Sequence, residues 1–166
     1  MSRLSSPAGL ANEAATLSER LVSITAASNS IVLDRETYAN RTILINGNAT
    51  SLALTMPHAY GSGDRYEFVL ATPQTSNGIT ISLAHGVSSN AYNGSAYVHD
   101  ASSANTTIFS ASAGLEADRI TLNTTTTGGL RAGDRIVLVD SAVGTWQVVE
   151  MKVSATGAVA TPFSAP

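Results

Sequence analysis

The side chains most able to bind a metal ion are three histidines, His58, His85 and His99. No two of them stand four residues apart, as zinc-binding histidines on one helix face do, and no carboxylate cluster adjoins them. Zinc and iron sites need several such ligands gathered in one place. We therefore expect separate loop histidines and no metal cofactor.

Candidate nucleophiles, acids and bases are equally scattered. Serine is abundant, but no Gly-x-Ser-x-Gly segment, the sharp turn that exposes a hydrolase nucleophile, is present. Asp134, Asp140 and Glu150 carry possible calcium ligands, yet they lack the alternating Asp-x-Asp-x-Asp spacing of a calcium loop. No carboxylates pair by spacing as glycoside hydrolysis requires, although Asp and Glu on different strands could meet in space. We expect a protein that is not an enzyme and has no cofactor.

The tripeptide Gly-Asp-Arg occurs twice, at 63–65 and 133–135. Each copy could be a functional carboxylate–arginine pair. We favour a structural interpretation, in which Gly permits a turn, Asp accepts hydrogen bonds from nearby backbone amides and Arg begins the next strand. The arginine can then pair across that strand.

Trp146 is the only tryptophan. A surface tryptophan can stack on a sugar ring, but sheets that bind carbohydrate usually expose several aromatic side chains. Aromatic residues are only 5% of this chain. We therefore predict that Trp146 fills one end of a core.

The composition limits the classes of function. The 166 residues, 43% of them hydrophobic, are enough for one domain with a core, alone or with an arm. The net charge of -3 and nine scattered basic residues supply no basic stripe, so nucleic acid is a poor partner. No apolar run approaches the roughly 18 residues that cross a bilayer, and the first residues lack the pattern of a signal peptide. We expect synthesis in the cytoplasm and no membrane partner.

The chain contains no cysteine. Its stability must therefore come from burial and from contacts between subunits rather than from disulfides.

The first 32 residues differ from the rest. Ser6-Pro7 is typical of a helix start, and five apolar residues follow at spacings of four and three. Two heptads are too short to be a stable isolated helix, so we predict a short helix or an extended arm that packs on a partner chain or on the domain. The residues of this predicted contact are Leu10, Ala14, Leu17, Leu21 and Ile24.

From Ser30 onward the hydrophobic period is two, which indicates strands with one buried face. Turn-forming segments separate these strands, and no alternation of strand and helix appears. The prediction is an all-β domain over residues 33–157, an antiparallel sandwich or barrel. Its predicted core residues are Leu54, Phe68, Ile81, Leu122, Leu138 and Trp146.

An internal sequence repeat supports this architecture. Residues 52–55 lead over a loop to the first Gly-Asp-Arg strand, and residues 120–123 lead in the same way to the second. Each unit then continues into a further strand, which predicts a duplicated β-meander. The polar segment 84–114 would form a projecting loop or hairpin with some order between the two copies, and residues 158–166 would form a tail.

A series of short motifs resembles the small capsid decoration, or cement, proteins of tailed phages. The similarity covers roughly residues 35–166. In order, the motifs are Leu54-Thr55-Met56-Pro57, Gly61-Ser62-Gly63, Ile120-Thr121-Leu122-Asn123, Thr126-Thr127-Gly128-Gly129, Gly133-Asp134, Gly144-Thr145-Trp146 and Ala160-Thr161-Pro162-Phe163-Ser164-Ala165.

The resemblance implies a homotrimeric β-structured knob on the outer capsid surface that clamps neighbouring major capsid subunits. Its location would be the virion, and its partners would be the major capsid protein and its own copies. On this hypothesis the segment before Leu33 and the tail, including Phe163, contact the shell or a neighbouring subunit. The trimer comes from the family analogy, because the apolar seam alone permits a dimer or a trimer.

Two other functions remain open. A head-fibre base, tail-fibre module or receptor-binding module would share the β-content and the Ser, Thr and Asn richness, with a head fibre or a host-surface glycan as partner. A fibre usually shows longer repeats or a coiled-coil shaft, which this chain lacks. A capsid-associated depolymerase would need paired carboxylates, one of them with a raised pKa.

Overall fold

A computed structural model describes residues 20–25, 30–46, 51–74, 78–84, 90–111 and 117–165. These residues form an all-β sandwich of two mixed sheets, which confirms the predicted fold class. Neither sheet closes into a barrel within the described part of the chain.

The described residues form twelve strands and one short helix. In chain order they are β1 (Leu21–Thr25), β2 (Ser30–Val32), α1 (Arg35–Tyr38), β3 (Arg41–Asn46), β4 (Leu52–Met56), β5 (Arg65–Leu70), β6 (Ile79–Leu83), β7 (Ala91–Asp100), β8 (Asn105–Ala111), β9 (Arg119–Leu122), β10 (Arg135–Ala142), β11 (Thr145–Ala155) and β12 (Phe163–Ser164).

The sequence predicted antiparallel strands, but both sheets also contain parallel pairs. The seven-stranded sheet has the order β1-β3-β5-β10-β11-β7-β8, and the five-stranded sheet has the order β12-β9-β6-β4-β2. Strands β3 to β6 alternate between the sheets, so every second strand returns to the same sheet in the same direction. This alternation explains why β3 pairs with β5, and β4 with β6, in parallel.

The two repeated units place their first two strands in the same way, but they do not form the two predicted β-meanders. In each unit the first strand, β4 or β9, lies in the five-stranded sheet, and the Gly-Asp-Arg strand, β5 or β10, lies in the other sheet. The two Gly-Asp-Arg strands, β5 and β10, pair antiparallel at the centre of the seven-stranded sheet. The units then diverge, because β6 returns to the five-stranded sheet whereas β11 stays beside β10.

The core lies between the two sheets. All six side chains that the sequence placed in the core are buried. The Trp146 ring packs edge-to-face on Tyr66 with 5.4 Å between ring centroids, and its indole N–H donates to the Pro57 carbonyl at 3.3 Å. Trp146 is therefore a core residue rather than a surface platform.

The predicted helical seam does not extend to its last two residues. Leu21 and Ile24 belong to β1, which pairs in parallel with β3. A spacing of three places two residues on one face of a helix but on opposite faces of a strand. Accordingly Ile24 is buried in the core and Leu21 is exposed. The other seam positions, Leu10, Ala14 and Leu17, lie outside the described residues.

The β domain is larger than the predicted 33–157. Within the segment 84–114, β7 and β8 form a hairpin that belongs to the seven-stranded sheet, since β7 pairs in parallel with β11. In the predicted tail, β12 pairs with β9, and Phe163 is buried in the core of its own chain. Tyr92, Ala96 and Val98 of β7 are buried in the core, so the hairpin is part of the sandwich.

Candidate functional site

A cluster of polar side chains surrounds Arg35. Asp34 caps the single turn of α1 by accepting a hydrogen bond from the Thr37 amide at 2.7 Å, which directs Arg35 toward the loop before β5. The Arg35 guanidinium forms ion pairs with Asp64 and Asp140, the second with 2.7 Å between Nη2 and Oδ2. It also donates to the His58 carbonyl at 2.6 Å. Helix, loop and the end of β10 are thus joined through one side chain.

Asp140 is the buried centre of this cluster, with 0% of its side chain exposed. Its carboxylate accepts hydrogen bonds from the backbone amides of Tyr60 at 3.1 Å and Gly61 at 2.7 Å, and the Ser62 hydroxyl lies 2.8 Å away. Burial alone would raise the pKa of Asp140, but the hydrogen bonds, led by that from Arg35, hold it at about 2.

The arrangement does not suit acid or base catalysis near neutral pH. The pKa of Asp64 is also lowered: desolvation opposes this shift, but hydrogen bonds from Ser62, Arg35 and Asn40 outweigh it. A general acid needs a carboxyl whose pKa is raised toward the working pH. Two ionised carboxylates that share one arginine instead tie the loop to the sandwich.

The second Gly-Asp-Arg turn contains a different carboxylate. Asp134 is buried and accepts hydrogen bonds from the backbone amides of Gly129 and Ser154, both at 2.9 Å. Desolvation raises its pKa above the ordinary value, although these amides partly compensate. The structural role proposed for Asp from the sequence is thus observed at 134, whereas Asp64 pairs with a distant arginine.

The arginines of both turns pair across the outer face of the seven-stranded sheet. Glu67 accepts from Arg65 at 2.7 Å and from Arg135 at 2.8 Å. Glu150 continues the row, 3.5 Å from Arg135 and 3.1 Å from Lys152. These partly exposed pairs have alternating charge, and ion pairs near the surface each contribute little stability.

A cleft of about 480 Å³ lies beside the end of this row of charges. Strands β7, β8 and β11 form its floor, and the turn 131–134 forms one wall. Its polar lining includes Tyr97, His99, Thr106, Arg131, Lys152 and Ser154. The second Gly-Asp-Arg motif contributes Gly133 and Asp134 to the lining, but the sequence did not indicate a cleft, because the lining residues come from four separate segments.

The structure separates the histidines. The His58 ring lies 3.2 Å from the Asn90 side-chain amide, and His99 lies in the cleft, 3.4 Å from the Thr106 hydroxyl. His85 falls outside the described residues. Among the residues that the structure describes, no three His, Asp or Glu side chains are grouped as a metal site. No helix in those same segments is long and apolar enough to span a bilayer.

The edges of the sheets expose large apolar side chains. Leu21 on β1 is 51% exposed, Val32 on β2 is 71% exposed and Ile108 on β8 is 58% exposed. Each of these strands ends a sheet and has one side free of backbone partners in the described structure. Of the predicted contact residues that the structure describes, Leu21 is exposed, whereas Ile24 and Phe163 are buried in the core of their own chain.

Comparison of the chain with models of known protein families, with curated proteins and with solved structures found no match.

Proposed function

We propose that this protein is a non-catalytic virion component that binds the outer surface of a tailed-phage capsid and stabilises contacts between major capsid subunits. The order of motifs that resembles the decoration proteins supports this proposal. Its synthesis in the host cytoplasm and its trimeric state belong to the same proposal.

The observation that carries it is the chemistry of the sheet edges. Strands β1, β2 and β8 each present an apolar side chain, Leu21, Val32 or Ile108, at a sheet edge that has no partner strand among the described residues. Strand β8, Asn105–Ala111, contains neither a charged residue nor proline. Isolated soluble proteins usually protect such edges with charge or proline, so an unprotected edge favours contact with another protein.

Co-sedimentation with undecorated capsids tests the proposal. We expect the intact chain to sediment with the shells and Leu21→Lys, Val32→Lys or Ile108→Lys to weaken that binding, because a lysine opposes burial at an edge. Val149→Lys is the matched control, since Val149 is 62% exposed but lies on an interior strand of its sheet. Failure of the intact chain to bind shells would contradict the proposal.

Light scattering tests the proposed oligomer separately. A homotrimer has three times the 17.1 kDa mass of the chain. A monomer that does not bind capsids but binds host cells would favour the alternative function, a receptor-binding module or the base of a head fibre.

A further inference from the structure

The cleft beside β7 has the composition of a small-ligand site, and we propose that it binds a saccharide that carries a carboxylate group. Its volume of about 480 Å³ falls in the range of known ligand sites, roughly 300–1,000 Å³. This inference does not depend on attachment to a capsid.

The strand register places the lining side chains in two neighbouring rows on one face of the sheet. Lys152, Tyr97 and Ile108 are consecutive cross-strand partners, and so are Ser154, His99 and Thr106. The first row offers Tyr97, a residue that is 45% exposed, and the second offers two hydroxyls and an imidazole. A partly exposed aromatic side chain next to a line of hydrogen-bonding groups matches a sugar ring, which has an apolar face and a hydroxylated rim.

Arg131 supplies the charge that selects an anion. Its side chain is exposed at the wall of the cleft, and it takes part in no salt bridge within the described segments. Lys152, in contrast, is already paired with Glu150 at 3.1 Å. A guanidinium fork without an internal partner can donate two parallel hydrogen bonds to a carboxylate.

The turn that forms the wall disfavours a phosphate. The amides of Gly129 and Ser154 both donate to the Asp134 carboxylate, so these donors are not free to bind an external anion. Asp134 also lines the cleft and would repel a dianion more strongly than a singly charged sugar acid. The anion contact must therefore come mainly from Arg131, and the remaining contacts suit hydroxyl groups.

A titration of the full-length protein with D-glucuronate, followed by amide chemical shifts in NMR spectra, tests the proposal. We expect saturable shifts at residues 97–99, 106, 131–134 and 152–154. D-glucose has the same ring without the carboxylate, and we expect it to bind at least about tenfold more weakly. Inorganic phosphate should give no saturable shift at these residues.

Variants separate the two parts of the site. Arg131→Gln should weaken glucuronate binding about tenfold without changing glucose binding, whereas Tyr97→Ala should weaken both. Arg20→Gln removes the same charge from an exposed arginine outside the cleft and should change neither. Tyr97→Phe keeps the ring and should retain most of the binding, which separates a lost contact from a lost fold.

Three results would overturn the proposal. They are the absence of glucuronate shifts in the cleft, equal affinity for glucose and glucuronate, and an effect of Arg131→Gln no larger than that of Arg20→Gln. Stronger saturable binding of phosphate at the same residues would replace the sugar acid with a different ligand class.

Discussion

Arg35 and Asp140 are separated by 105 positions in the chain, yet Nη2 of Arg35 lies 2.7 Å from Oδ2 of Asp140. The pair joins a one-turn helix to the end of a central strand. Because Asp140 also accepts two backbone amides from the loop that includes Tyr60 and Gly61, the loop conformation depends on this one buried carboxylate.

Asp140→Ala should therefore destabilise the fold by about 3 kcal/mol, since it removes one of the two carboxylates paired with Arg35 and leaves two partly buried amides without their acceptor. Urea unfolding measures the change. Glu36→Gln, on the exposed side of the same helix turn, is the control and should stay within about 0.5 kcal/mol of the original protein. A loss below about 1 kcal/mol for Asp140→Ala would mean that the loop holds its conformation without the carboxylate.

Stability should also fall in acid. The folded-state pKa of Asp140 is about 2, below its ordinary value of 3.8, so its contribution is present above about pH 4 and is lost as the pH falls toward 2. That contribution is about 2 kcal/mol. Asp100, whose pKa is also about 2 because of hydrogen bonds from Ser102 and Ser103, acts in the same direction. Asp134, with its raised pKa, acts in the opposite direction.

The measurement is the free energy of unfolding in urea at a series of pH values from 7 to 2.5. Asp140→Asn should be less stable at pH 7 and should lose less stability on acidification than the original protein. Parallel pH profiles for the two proteins would show that Asp140 does not titrate as described.

Gly94 allows β7 to approach β11 closely. Its φ is +137°, and a Cβ atom at this position would lie 2.5 Å from the Val148 carbonyl oxygen. Gly94→Ala should therefore cost about 3 kcal/mol, from backbone strain and overpacking together. Gly133→Ala is the matched comparison, because its φ of +91° is also positive but a Cβ there would meet nothing within 4 Å. Thermal unfolding should show a cost of only about 1 kcal/mol for Gly133→Ala.

The buried Trp146 provides an internal probe of the fold. As the only tryptophan, packed on Tyr66 and bonded to the Pro57 carbonyl, it should fluoresce at short wavelength and shift to longer wavelength on unfolding. Trp146→Phe should cost about 2 kcal/mol, from lost volume and the lost hydrogen bond, as measured by circular dichroism. Val149→Ala, at an exposed site, should cost less than about 0.5 kcal/mol. Equal costs for the two variants would contradict the core role of Trp146.

The amino-acid sequence by itself determined the secondary structure class and the inward faces of the strands. A period of two selects which side chains point to one face, and this holds whichever strand becomes the neighbour. Leu54, Phe68 and Leu138 could therefore be placed in the core from local pattern alone. The positive φ of Gly63 and Gly133 likewise follows from the turns in which they stand.

Only the tertiary structure decided which strands pair, and in which direction. The pairing of β7 with β11 and the burial of Phe163 depend on contacts between segments far apart in the chain. Local hydrophobic periodicity does not specify such contacts. The same holds for the Arg35–Asp140 pair and for the cleft that contains Arg131. An ion pair or a cleft forms from the positions of several backbones in space, whereas a sequence pattern reports only how each segment divides its own side chains between core and solvent.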